Sequence, residues 1–196
     1  MSIILPDWFS IVRREVCHRC SVEGLRNILE TGAIRPNDGS FPDTYPQSQD
    51  SYARANHYVS LFDFATQTEQ ECVQQMHYWY RFFFDQKPVT IVILLDRQSL
   101  AARLIPNKEA QEHTGERDYP IFLPGVEAFY PEPIPCELFT GYLIICGVYE
   151  KLYEYVPHHG SFPGLFDRID RFMKEHEEIY QDPLGNLEKD LEIRRG

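Results

Sequence analysis

The unbroken run Val89-Thr90-Ile91-Val92-Ile93-Leu94-Leu95 constrains this chain more than any other stretch. Its β-branched side chains are stiff about χ1, which disfavours a helix and suits a pleated strand. No polar alternation marks a solvent-facing side, so the run predicts a strand in the middle of a sheet. It is far shorter than the roughly 18 uninterrupted apolar residues of a membrane span, and no window of the chain approaches that length.

Around this strand the pattern is mixed. Tyr58–Phe64 and Gly141–Val148 read as further apolar strands. Pro124–Pro135 carries enough proline to be an edge or irregular strand. Helical spacing appears in Pro6–Arg13, in Val22–Leu29, and from Gln70 to Phe84, where Thr66 is the expected cap and Cys72, Val73, Met76, Tyr80 and Phe83 form the core stripe. A turn at Asp96 opens a short helix through Leu100, and Phe162–Tyr180 reads as a C-terminal helix. Arg35–His57 has no apolar period and is longer than most loops in compact domains. Tyr45, Tyr52 and Tyr58 in or beside it suggest an ordered substrate loop. Ile105–Pro120 is again polar. Strands mixed with helices but without regular βαβ alternation predict an α+β domain over residues 1–180, with 181–196 as a charged tail.

Charge and cysteine content narrow the function. A net charge of −11 makes a poor general nucleic-acid binder, because counterion release needs clustered Lys and Arg. The exceptions expected are local, at Arg19 and Arg35. Five cysteines is an odd number; without a secretory signal they read as reduced thiols in a cytoplasmic protein. Cys17 and Cys20 form a C-x-x-C, but no second pair follows to complete a zinc site, so no metal is expected.

Chemistry concentrates in Val16-Cys17-His18-Arg19-Cys20-Ser21, followed by a helix closed by Gly32. Ser21 is the expected N-cap and Gly32 the left-handed C′ residue. The unit sets His18 and Arg19 beside a helix N-terminus, which suits a phosphate. Three polar residues interrupt apolar strands: His18, Ser60 and Glu127. Glu127, flanked by Val126, Ala128 and Phe129, is the sharpest of them, because a buried carboxylate is costly unless something binds it.

In this order, a histidine strand, a serine- or tyrosine-bearing strand and a glutamate strand resemble the NAD-dependent ADP-ribosyltransferase fold. The opening segment, with Ile28-Leu29-Glu30-Thr31-Gly32, is similar to that of the tRNA 2′-phosphotransferase group and of the DNA-targeting ADP-ribosyltransferase toxins. Val126-Glu127-Ala128 followed by Ile134-Pro135 resembles the late segment of that fold, and Tyr58-Val59-Ser60-Leu61 falls at its middle strand. The chain departs from the pattern at Cys20, where a small polar residue is usual, and in pairing Tyr58 with Ser60. The resemblance implies a split mixed or antiparallel sheet with flanking helices. It also implies cleavage of the nicotinamide–ribose bond of NAD, with ADP-ribose passed to a macromolecular acceptor, as a toxin or defence factor would do. The acidic balance favours a protein over a nucleic acid as that acceptor.

By the same resemblance Glu127 stabilises the cationic ribose, His18 bonds a ribose hydroxyl and the Arg19 backbone holds the nicotinamide amide. Arg35 or Arg54 pairs with the pyrophosphate, Arg54 alternatively orienting Glu127 or the acceptor. Ser60 lines the NAD site, and Tyr52, Tyr58 or Phe62 stacks on the nicotinamide. Two other readings stay open: a catalytically silent binding module on the same fold, and a tRNA 2′-phosphotransferase-like enzyme.

Overall fold

The computed structural model describes residues 5–36, 38–39, 50–84, 88–114, 123–149, 151–158 and 164–181. Its strands are β1 (Val16–Cys20), β2 (Ala33–Ile34), β3 (Val59–Asp63), β4 (Val89–Leu95), β5 (Glu127–Tyr130), β6 (Ile134–Pro135), β7 (Phe139–Cys146) and β8 (Tyr153–Pro157). Its helices are α1 (Phe9–Val12), α2 (Val22–Thr31), α3 (Tyr52–Ala55), α4 (Glu69–Gln74), α5 (Met76–Trp79), α6 (Arg97–Leu100), α7 (Asn107–Thr114), α8 (Leu165–Glu175) and α9 (Glu177–Gln181). Six strands form one sheet in the order β5-β3-β1-β4-β7-β8, antiparallel at every described pairing, and β2 pairs with β6 apart from it. The molecule is therefore α+β.

β4 occupies the inner position that its composition predicts, paired with β1 on one side and β7 on the other. Alternation divides its side chains between two cores. Val89, Ile91, Ile93 and Leu95 join Leu25 of α2 and Leu165, Ile169 and Phe172 of α8. Val92 and Leu94 join Trp8, Phe9 and Val12 at α1, and Cys72, Trp79 and Phe83 of the segment after β3. Each side chain of this kind fully withdrawn from water contributes about 1.5–3 kcal/mol, so burial on both faces makes β4 the strand hardest to displace.

The opening unit folds as its residues dictate. Ser21 Oγ accepts from the Gly24 N–H at 3.0 Å, and Gly32 closes α2 in the left-handed region with φ 75°. Other expectations need correction. The helix expected from Gln70 to Phe84 is broken at Gln75 into α4, α5 and a 3-10 turn over Tyr80–Phe83. Thr68, not Thr66, caps it, because Thr68 and Glu71 satisfy each other's backbone N–H in a capping box. The polar stretch after Ile105 contains α7, and β8 adds an edge strand where none was expected. Pro124–Pro135 does supply the opposite edge, as β5. The C-terminal segment holds α8 and α9; Phe162, the expected start of that helix, and the tail from 182 on lie outside the described residues. Among the described residues no helix is long and apolar enough to cross a membrane.

Candidate functional site

The three strands that carry His18, Ser60 and Glu127 are neighbours, in the order β5-β3-β1. Local pattern does not dictate this, since Glu127 lies 67 positions beyond Ser60. β3 pairs with β5 along its length, from Val59 opposite Tyr130 to Phe62 opposite Glu127. β1 pairs with β4 along its own length. Between β1 and β3, however, the ladder runs only through Val16–Asp63 and Cys17–Phe62. The sheet therefore opens between the second half of β1 and the first half of β3.

Ser60 sits at that opening and bonds in both directions. Its Oγ–H donates to Glu127 Oε1 at 2.6 Å, and its backbone carbonyl lies 3.0 Å from His18 Nδ1. A carbonyl only accepts, so Nδ1 carries the proton and Nε2 is the acceptor of the neutral ring. Burial pushes the His18 value down to about 4, against the opposing pull of the Ser60 carbonyl, so the ring is neutral at pH 7.

Glu127 is 8% exposed, and its second oxygen, Oε2, accepts from the Leu123 N–H at 2.6 Å. Burial raises its value to about 7; the bonds from Ser60 and Leu123 pull the other way but do not cancel it. A carboxylate titrating near neutrality can change protonation state at working pH, unlike an ordinary surface glutamate.

Alternation along the strands sets a limit on this arrangement. Cys17 pairs with Phe62 and Phe62 with Glu127, so Glu127 and Ser60 project on the Phe62 face. His18 projects with Val16 and Cys20 on the other. The resemblance puts all three in one NAD site, whereas the register sets His18 on the face opposite Ser60 and Glu127. His18 and Glu127 approach each other only through Ser60, at the opening.

The remaining expected residues are dispersed. Arg19 projects on the Glu127 face, with its guanidinium 5.9 Å from the Phe82 ring centre. Arg54, expected in a loop, lies on α3, capped by Ser51. A Cβ on Gly39, which has φ 96°, would come 2.6 Å from Arg54 Nη2, so glycine lets that strip of chain run against the guanidinium. Arg35 is exposed just past β2. Phe62 is buried, 5.1 Å from Phe83 and 6.0 Å from Phe64, and its ring belongs to the core rather than to a binding surface. Tyr52 is also buried, 4.8 Å from Phe129 and 5.9 Å from Tyr58. Of the three aromatic candidates only Tyr58 is half-buried. Tyr45 lies outside the described residues. Cys17 and Cys20, three apart on one strand, point to opposite faces and make no chelate.

Sequence reasoning missed Asn107. It is buried at the start of α7 and bonds to the backbone of both Leu123 and Glu127. The one local signal was the succession Pro106-Asn107 followed by Lys108, Glu109, Ala110 and Gln111, a helix start with little apolar content.

Comparison of the chain with models of known protein families gives no match, and comparison with curated proteins gives none either.

Proposed function

We propose that the chain is an NAD-dependent ADP-ribosyltransferase whose reaction centre is the opening between β1 and β3. The observation that carries this reading is the placement of Ser60 there, bonded through its hydroxyl to Glu127 and through its carbonyl to His18. The adjacency of a histidine, a serine and a glutamate strand in a sheet that parts between the first two agrees with the resemblance drawn from the sequence.

The chemistry asks little of acids and bases. The bond from ribose C1′ to the nicotinamide nitrogen breaks with its electron pair leaving on the nicotinamide, which departs neutral. The ribose becomes an oxocarbenium-like cation, and an acceptor nucleophile then bonds C1′ and gives up its proton. Ionised Glu127 complements that cation in a site where charge is poorly screened by water. Neutral His18 presents Nε2 as an acceptor for a ribose hydroxyl. The Arg19 backbone holds the nicotinamide amide, and Tyr58 is the aromatic best exposed to stack on it. A guanidinium from Arg54 or Arg35 suits the pyrophosphate through paired N–H groups. Because His18 and Glu127 project on opposite faces, this reading requires the dinucleotide to enter the opening itself.

One observation favours a second reading, a catalytically silent binding module. Both Glu127 oxygens already accept protein hydrogen bonds, which is how a structural carboxylate is satisfied. The deciding experiment is incubation of the purified chain with NAD, alone and with cell lysate, reading free nicotinamide and label transfer. Release that is lost in Glu127→Gln and Glu127→Ala supports the enzyme. Undiminished release in both variants removes Glu127 from the mechanism. Silence of the unmutated chain under both conditions selects the binding module.

A further inference from the structure

Glu127 enters β5 from a tight turn, and the position of its carboxylate depends on that turn. The Glu127 N–H reaches back to the Leu123 carbonyl at 3.3 Å, while the Leu123 N–H donates forward to Glu127 Oε2. Between them Gly125 takes φ 75°, and a Cβ there would collide with the Gln75 side chain. The turn is thus closed on itself and pressed from one side by Gln75.

On its other side stands Asn107. Its Nδ2 donates to the Leu123 carbonyl at 2.8 Å and to the Glu127 carbonyl at 3.0 Å. Its Oδ1 accepts from the Gly125 N–H at 2.8 Å and from Gln111 Nε2 at 3.0 Å. An asparagine amide has two N–H donors and two oxygen lone pairs, and all four are used here. Two carbonyls on one side and a backbone N–H on the other admit only this orientation of the amide. Aspartate lacks the donors, and alanine lacks everything.

The frame around Asn107 is itself anchored. Ile105 exchanges both backbone bonds with Phe129 of β5, each at 2.9 Å. Pro106 follows with its fixed φ, and α7 starts at the next residue. Ala110, fully buried, locks α7 against Phe129, Tyr52 and Ala53. Asn107 is therefore tied to the outer edge of β5 at a set distance from Glu127, and its four bonds carry that rigidity into the turn.

We propose that Asn107 is the positioning residue of Glu127, clamping the 123–127 turn so that the carboxylate is held against Ser60 at the opening of the sheet. Its catalytic meaning rests on the enzyme reading above; the clamp itself does not. Without the amide, the Gly125 N–H and the Glu127 carbonyl lose this partner, and the Leu123 carbonyl keeps only the long bond from the Glu127 N–H. The turn then admits water, and the desolvation that sets the protonation behaviour of Glu127 is relieved.

The test is a carboxyl carbon NMR titration of Glu-labelled protein, with Glu127→Gln supplying the assignment. The Glu127 midpoint lies near 7 in the unmutated chain. In Asn107→Ala it falls by about one pH unit or more toward the ordinary carboxylate range. A purely structural residue would lower the melting temperature without moving that midpoint. In the same variant the nicotinamide turnover number falls by about a hundredfold while KM for NAD stays within a factor of about two. Amide exchange in the unmutated chain gives a second reading that needs no folded variant: the Leu123 and Gly125 N–H groups are protected. An unshifted midpoint in folded Asn107→Ala overturns the proposal, and so does exchange at Gly125 as fast as in an unstructured peptide. A shifted midpoint in a chain that releases no nicotinamide retains the clamp and sinks the enzyme reading. An unshifted midpoint with Glu127-dependent turnover does the reverse.

Discussion

Glu127→Gln changes how stability depends on pH, and the change can be worked out from two groups. Glu127 titrates near 4.5 unfolded and near 7 folded. Its folded form therefore holds a proton that the unfolded chain has lost anywhere between those values. The stabilisation is complete below pH 4.5 and disappears as pH rises through 7. The gap corresponds to about 3 kcal/mol. His18 runs the opposite way, from 6.5 unfolded to about 4 folded. Its contribution is complete above pH 6.5 and is lost as pH falls toward 4, again by about 3 kcal/mol and somewhat less because the ring is half-buried.

In the unmutated chain the two slopes oppose each other between pH 4.5 and 6.5 and largely cancel. Glu127→Gln removes one of them. The glutamine retains both hydrogen bonds, its carbonyl accepting from the Leu123 N–H and its amide donating to Ser60 Oγ. Urea denaturation from pH 4 to 8.5 reads the outcome. The variant equals the unmutated chain near pH 4.5 and exceeds it by about 2–3 kcal/mol at pH 8, or about 5–10 °C in Tm. His18→Asn, which keeps a donor toward the Ser60 carbonyl, exposes the opposite slope. Every other titrating group appears in all three curves and drops out of the differences. Parallel curves for Glu127→Gln and the unmutated chain would refute the reasoning, since Glu127 would then titrate alike in both states.

Three further outcomes follow from the geometry. If ionised Glu127 complements the cationic ribose, nicotinamide release rises with pH through about 7 and levels off above it, which a pH–rate profile checks. Gly125→Ala forces a Cβ into Gln75 at a positive φ and destabilises the fold by about 1–3 kcal/mol in urea titrations; shortening the neighbour in Gln75→Ala relieves the clash but not the backbone strain. Arg97→Ala strips the buried Asp63 carboxylate of a two-point partner, at 3.1 and 3.3 Å, and costs about 3 kcal/mol, measured by thermal denaturation at pH 7.

Elements whose signal is local were legible before the fold was known. The Val89–Leu95 run declared an inner strand through side chains that favour burial on both faces. Ser21 and Gly32 bounded α2 through backbone geometry that needs no tertiary partner. Elements held by distant contacts were not legible. α7 has a polar surface and buries chiefly Ala110 and Asn107, so no apolar period announces it. β8 is a half-exposed edge strand whose pairing with β7 supplies what its own pattern lacks. The break at Gln75 has no proline or glycine to mark it; the Gln75 side chain lies against Gly125, some fifty residues away. For the candidate site, residue types were legible and side-chain directions were not. His18, Ser60 and Glu127 stand out because polar groups in apolar strands are costly, but the face each occupies follows from a register that only pairing determines.

That register decides which of the three side chains a single ligand could reach. In a closed ladder, a histidine on one face and a glutamate on the other would be separated by the backbone of β3, and no ligand would touch both. Here β1 stays with β4 and β3 stays with β5 beyond Cys17 and Phe62. The separation follows from the partners available: each strand keeps a full ladder on its far side, so parting on the near side forfeits few bonds. The Ser60 carbonyl then accepts from His18 in place of a backbone N–H, while the Ser60 hydroxyl serves Glu127 on the opposite face. Ser60 is thus the one residue of the three with a polar group toward each of the others. Because the two pH dependences oppose each other, the combined cost of the neutral histidine and the buried carboxylate stays nearly constant between pH 4.5 and 6.5. Under the proposed reaction the site works above about pH 7, where His18 is neutral and Glu127 is ionised.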